Sequence, residues 1–324
     1  MCEILYNMPE NKHLFNWKDY LELNKDLGHL TTEEEAVNHW NECGYSKMRL
    51  CNKSQLEVVN EFGNELILYI PYYYYLHKNN LLFDHKITTF RHMKPFYYFL
   101  DGDRIIEKQN NRDWIHEHNR PLVANNSEYT KYFNNLYWVP PPYKQFYANN
   151  VIQFEKPILV VHNKYNLEWG VNPINYIGLD TLRYIFNTLS DKYQIVYIRP
   201  KSDTTDYSYD NSAILDDFKD YELIEQEFNQ IITFNDLLKK YPYKYNELQL
   251  MLFSKCDNYI SSQGGSTYLI SYFFKRMLIL HQRGGETWSG AYEGWFNNVN
   301  NEPDKTLQIC TSSEDLRNNT KMFE

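Results

Sequence analysis

Residues 260–281 read ISSQGGSTYLISYFFKRMLILH: a short apolar strand, the turn Gln263-Gly264-Gly265-Ser266-Thr267, a helical segment and a second apolar strand. The chain has only 12 glycines in 324 residues, so a pair at a strand-to-helix turn is a positional choice. Glycine admits backbone dihedrals that a Cβ forbids and lets the backbone come close to a ligand. The first free N–H groups of the following helix carry partial positive charge, which suits a phosphate. Ser266 and Thr267 would add hydroxyl donors. The same residues also suit a plain tight turn with Ser266 as N-cap.

The surrounding sequence repeats this pattern. KPILVVHN (156–163) is a continuous apolar run of the buried parallel-strand kind, LDTLRYIFNTLSDKY (179–193) is an amphipathic helix, and QIVYIRP (194–200) is a second buried strand. YNELQLMLFSKC (245–256) reads as a helix and NYISSQ as a strand. Strands alternating with helices predict an α/β fold with a parallel sheet covered on both faces. Ligands of such sheets sit beyond the carboxyl ends of the strands. The informative residues are therefore His162 and Asn163, Arg199 and Lys201, Gln263 to Thr267, and His281 to Glu286. Arg199 and Lys201, with Pro200 stiffening the turn, would offset the charge of a diphosphate. The turn is neither GxGxxG nor GxxxxGK[ST], so neither a dinucleotide site nor a P-loop is supported. HExxH, GxSxG and zinc-spaced His/Cys clusters are lacking as well.

Composition bounds the rest. Hydrophobic residues at 43% supply enough apolar surface for real cores, and a net charge of −9 argues against general nucleic-acid binding. Five scattered cysteines without a CxxC pair suit a reducing, cytoplasmic compartment. The amino terminus lacks the apolar core of a signal peptide, and no apolar run reaches membrane-spanning length.

Before residue 150 the reading is coarser. FNWKDYLELNKDLG and TTEEEAVNHWNECG suggest two short helices, the first ended by Gly28, the second opened by a Thr32–Glu35 capping box, carrying Ala36, Val37 and Trp40 inward and ending at Gly44. In NELILYIPYYYYL a strand is expected at 66–70, closed by Pro71, with further strands in HKITTF and PFYYFL. DWIHEHNRPLVANNSEYTKYF reads as helix, strand and helix, and Pro140, Pro141 and Pro142 as a stiff boundary. This divides the chain into a helical module (1–52), a second region (53–150) and a carboxy-terminal domain (151–324).

The segment LFSKCDNYISSQGGSTYLISYFFKRMLILHQRGGE resembles the nucleotide-sugar segment of GT-B glycosyltransferases. Together with NKYNLEWG…PINYI, YQIVYIRP and YNELQ it is similar to a group of such enzymes in large DNA viruses and bacteria. The amino-terminal helices resemble a short module attached to glycan-building enzymes. The likeness is good over about 150–290, fair over 15–50 and weak over 55–150. It implies two Rossmann-like domains, the amino-terminal one reduced and binding the acceptor, plus the small helical unit. It also implies transfer of a hexosyl or pentosyl group from a nucleotide-diphosphate sugar to a glycan or glycoconjugate, inverting and without a required cofactor or metal. In that frame Gln263, Gly264, Gly265, Ser266, Thr267, Arg199 and Lys201 hold the diphosphate. Glu286 contacts a sugar hydroxyl. The loop lacks the histidine of the family's HCGWNS pattern.

Transfer also needs a base for the acceptor hydroxyl. His162 and Glu168 are candidates, with Trp169 placed to raise a carboxylate pKa or to stack on a sugar. Asp84, His92 and Asp101 are further candidates in the amino-terminal half. Glu247 and Gln249 would reach a ribose. Asp101-Gly102-Asp103 also matches the DxD of metal-dependent GT-A transferases, though Asp-Gly-Asp is equally a good turn. A silent carbohydrate-binding or scaffold protein, suited by PYYYY and TWSGAYEGW, is the reading from another class.

Overall fold

The computed structural model describes residues 15–110, Arg112, and residues 137–168, 172–207 and 213–324. The chain divides into two compact units, Met1–Pro141 and Pro142–Glu324. The division falls inside the triple proline, where fixed φ angles keep the chain extended, rather than after residue 150. The architecture is mixed α/β with parallel sheets.

In the first unit, α1 (Trp17–Leu23) is capped by Asn16 and α2 (Glu33–His39) by the expected box, Thr32 with Glu35. Tyr20, Leu27, Ala36, Trp40 and Cys51 form their shared core. A π-turn, Trp40–Gly44, follows α2. This module belongs to the same unit as the residues after it. The hydroxyls of Tyr72, Tyr73 and Tyr75 donate to the carbonyls of Met48, Gln55 and Lys47.

The strand expected at 66–70 is helical. A short α3 (Phe62–Asn64) runs through a π-turn (Glu65–Tyr69) into α4 (Ile70–Lys78). Pro71 falls at the start of α4, directly after the π-turn, instead of closing a strand. Leu66, Ile67, Leu68, Tyr72, Tyr73 and Leu76 are all buried, and a segment apolar on every side carries no period to separate helix from strand. HKITTF holds β1 (Ile87–Phe90), which pairs in parallel with β2 (Ile105–Lys108). PFYYFL contributes a 3-10 turn, Lys94–Tyr97, with Pro95 at its start. The elements expected at 113–133, and Trp169, lie outside the described residues.

The second unit opens with α5 (Tyr143–Phe146). Its sheet comprises β3 (Ile158–His162), β4 (Gln194–Ile198), β5 (Ile232–Thr233), β6 (Asn258–Ser262), β7 (Arg276–Leu280) and β8 (Thr306–Cys310). The order is β5-β4-β3-β6-β7-β8, with every pairing parallel. The connecting helices are α6 (Leu179–Leu189), α7 (Asp220–Glu227), α8 (Phe234–Lys240), α9 (Tyr245–Ser254), α10 (Gly265–Ser271), α11 (Glu286–Ser289), α12 (Trp295–Asn298) and α13 (Ser313–Asn319).

Alternation along the strands sends Leu159, Val161, Ile195, Tyr197, Ile260, Leu278 and Leu280 to one face. There they meet Leu182, Ile185, Phe186 and Leu189 of α6 and Leu316 of α13. On the opposite face Tyr259 meets Phe253 of α9 edge-on at 5.5 Å. The chain steps outward from β3 to β5, then returns to β6 on the other side of β3. That reversal lies between the carboxyl ends of β3 and β6, the place where doubly wound sheets hold ligands.

Candidate functional site

Two turns arrive at this reversal, one after β3 and one after β6. Both carry backbone that ordinary residues avoid. Gly264 has φ 147°, and a Cβ there would lie 3.2 Å from Lys164 Nζ. The Lys164 amine therefore sits directly over the glycine turn. Thr267 closes the turn, its hydroxyl donating to the Gly264 carbonyl at 2.6 Å and its N–H to the same oxygen at 3.0 Å. Ser266 is buried beside it.

Lys164 makes an ion pair with Glu168, one helical turn's spacing along the sequence. Burial lowers the Lys164 pKa, with Glu168 and then Glu286 pulling the other way. Glu168 also accepts from Asn175 Nδ2 at 3.1 Å. Asn175 is fully buried with φ 55°, a conformation its short side chain tolerates. Its amide shares two hydrogens among Glu168, Gln263 Oε1 at 2.9 Å and the Arg283 carbonyl at 2.6 Å. Its oxygen accepts the N–H groups of Gln282 and Arg283. Asn163, buried after β3, anchors the same loop by bonding both the N–H and the carbonyl of Ile177.

Gln263 turns its other end to Glu286, donating from Nε2 to Oε1. The second oxygen of Glu286 has no hydrogen-bond partner among the described residues and lies 3.9 Å from His281 Nε2. His281 Nδ1 meets the Tyr292 hydroxyl at 2.7 Å. Burial lowers the His281 pKa against the pull of Glu286, so the ring favours its neutral form. Gly284, φ 150°, passes so close that a Cβ would stand 2.5 Å from Glu286 Oε2 and 3.0 Å from His281 Nε2. The result is one connected polar group: Lys164, Glu168, Asn175, Gln263, His281, Glu286 and Tyr292. It presents carboxylate acceptors, amides and one amine.

His162 ends β3 at this reversal and is 2% exposed. Neither ring nitrogen has a hydrogen-bond partner among the described residues. Burial pushes its pKa down to about 3, and the Lys164 charge acts in the same direction. A ring so disposed is neutral at ordinary pH. It can accept or donate one hydrogen bond at each nitrogen.

Of the residues named from sequence, the fold brings Glu168, Gln263, His281 and Glu286 into this group, with Gly264 beneath the Lys164 amine. Arg199 does not join them. Its guanidinium forms a bidentate pair with Asp220, at 2.5 Å and 2.7 Å, and Tyr197 donates to the same carboxylate at 2.6 Å. Both charges are buried, so Arg199 neutralises Asp220 rather than offering a free charge at the sheet's rim. Lys201 lies with its amine 4.6 Å above the Tyr221 ring. Glu247 is half-buried in the first turn of α9, and Gln249, two residues on, is buried.

The first-unit candidates sit in other surroundings. Asp84 is exposed and paired with Lys25, whose hydrogen bond lowers its pKa. His92 has φ 63° in the turn after β1. Asp101 and Asp103 are exposed where a 3-10 turn leads into β2. Among the described residues no three His, Cys, Asp or Glu side chains gather to hold a metal ion, and no helix is long and apolar enough to cross a membrane.

Lys164 and Asn175 were not chosen from sequence. The Lys164–Glu168 spacing was the available signal for the first. The second, an asparagine in an irregular loop, had none. TWSGAYEGW forms α11 and a turn that packs inward: Ala291, Tyr292 and Trp295 are buried, and Trp295 donates to Ser271 Oγ at 2.9 Å. Comparison with protein-family models, with curated proteins and with solved structures found no match to this chain.

Proposed function

We propose that the second unit binds a nucleotide-diphosphate sugar and that the chain is a glycosyltransferase of GT-B type, acting on a glycan or glycoconjugate. One observation carries the reading. At the reversal of a doubly wound sheet, an amine overlies a glycine turn while two carboxylates and two amides cluster beside it. Lys164, above Gly264, takes the phosphate role first given to Arg199. An incoming phosphate would favour the charged form of an amine that burial disfavours. Glu286 and Gln263 suit vicinal sugar hydroxyls, because an ionised carboxylate accepts only and an amide does both, while the buried Asn175 holds Gln263 and the 282–283 backbone in place. Glu168, released from Lys164 by the phosphate, is the base for the acceptor hydroxyl. Residues 53–141, with their small parallel sheet, are on this reading the reduced acceptor domain.

The test is thermal unfolding of the full chain with UDP-, GDP-, CMP- and dTDP-sugars. A donor that binds raises Tm with concentration. Lys164→Met should abolish that rise. Glu168→Gln should keep it but slow transfer or donor hydrolysis about 10²–10⁴-fold. If no donor moves Tm, the proposal fails. If a donor binds but is neither transferred nor hydrolysed, the carbohydrate-binding reading replaces it. Loss of turnover in EDTA, restored by Mn²⁺, would transfer the chemistry to Asp101 and Asp103.

A further inference from the structure

The amino-terminal module holds a second chemical group that the proposed transfer does not use. Cys43 Sγ lies 3.2 Å from His39 Nε2, and His39 Nδ1 lies 2.7 Å from the Tyr20 hydroxyl. The order is thiol, imidazole and an orienting hydroxyl, which is how an activated nucleophile is recognised. Three local features build it. The π-turn over Trp40–Gly44 continues α2, so residues 39 and 43 share a face. Gly44 makes room, since a Cβ there would stand 2.1 Å from the Tyr20 hydroxyl. Tyr20 itself is fully buried in the module's core and cannot swing away.

The other described cysteines lack such partners. Cys51, Cys256 and Cys310 are buried, and burial pushes each thiol up to about 12. Cys43 is half-exposed, within reach of a small molecule. Burial, followed by the charge of Arg49, lowers the His39 pKa, which keeps the ring unprotonated and able to take a proton. Arg49 is held nearby by a bidentate pair with Asp26.

We infer that Cys43 is a reactive thiol and a site of covalent capping by small disulfides, with His39 as its base and Tyr20 as the group that positions the ring. The thiol proton moves to His39 Nε2 and the sulfur attacks one sulfur of the disulfide R–S–S–R. The old S–S bond breaks, Cys43–S–S–R forms, and the leaving thiolate takes the proton from His39. Atoms and electrons balance with no further oxidant.

The experiment treats the full chain with 2-hydroxyethyl disulfide at pH 7 and follows each cysteine by peptide mass spectrometry. Cys43 in the folded protein should be capped at least about tenfold faster than the same cysteine in the urea-unfolded chain. His39→Gln should bring the folded rate down to the unfolded one. A folded rate no higher than the unfolded rate overturns the inference whatever the variant does. So does a His39→Gln protein with native circular dichroism and an unchanged rate, or capping confined to another cysteine.

Discussion

Lowering the pH should expose the neutral imidazole at the end of β3. His162 is buried with both ring nitrogens unpartnered, and its pKa falls from the usual 6.5 to about 3. The unfolded chain therefore binds this proton near pH 6.5, while the folded chain refuses it until about pH 3. Stability from this residue is complete above pH 6.5 and is lost as the pH falls toward 3. Each pKa unit corresponds to about 1.4 kcal/mol, so the whole window amounts to about 5 kcal/mol. Between pH 7 and pH 5 the loss should be about 2 kcal/mol. Other groups titrate over the same range, His281 among them, so the measurement is a difference. Wild type and His162→Leu are unfolded in urea at pH 7, 6 and 5, and the free energies are extrapolated to water. The leucine variant should lose about 2 kcal/mol less than wild type on going to pH 5. Parallel pH profiles for the two proteins would refute the reasoning, as would an NMR titration placing this imidazole near its ordinary pKa.

Two further changes probe the groups around the reversal. Arg199→Ala strands the Asp220 carboxylate in the core and should destabilise the second unit by about 3–5 kcal/mol in urea unfolding. A cost below about 1 kcal/mol would mean that the pair is not structural. Gly284→Ala places a Cβ against Glu286 and His281 in a backbone region unsuited to L side chains. It should cost about 1–3 kcal/mol in unfolding and weaken donor binding by separating Glu286 from Gln263, with titration calorimetry as the readout for the second effect.

The sequence by itself determined β3, α6, β4 and the run from α9 to β7, but it did not mark α7, β5 and α8. The short apolar runs ILVVH and RMLIL, each alternating with an amphipathic or turn-opened helical segment, read as strands buried on both faces, and the glycine pair marked the turn after β6. The Thr32–Glu35 box was equally legible, because a cap is made of neighbours. The helix over 70–78 was not, since Tyr72, Tyr73 and Tyr75 are all buried and the run of four tyrosines shows no polar face to reveal the period. Sequence also placed Arg199 correctly at a strand end. Only the tertiary structure decided what it does there, because Asp220 arrives from α7, far along the chain, and neutralises it. The cation over the glycine turn comes instead from Lys164, and Asn175 joins loops that sequence cannot bring together. Strand and cap formation depend on a residue's near neighbours. The charge state and partners of a buried group depend on which distant side chain shares its low-dielectric surroundings, and only the folded chain sets that.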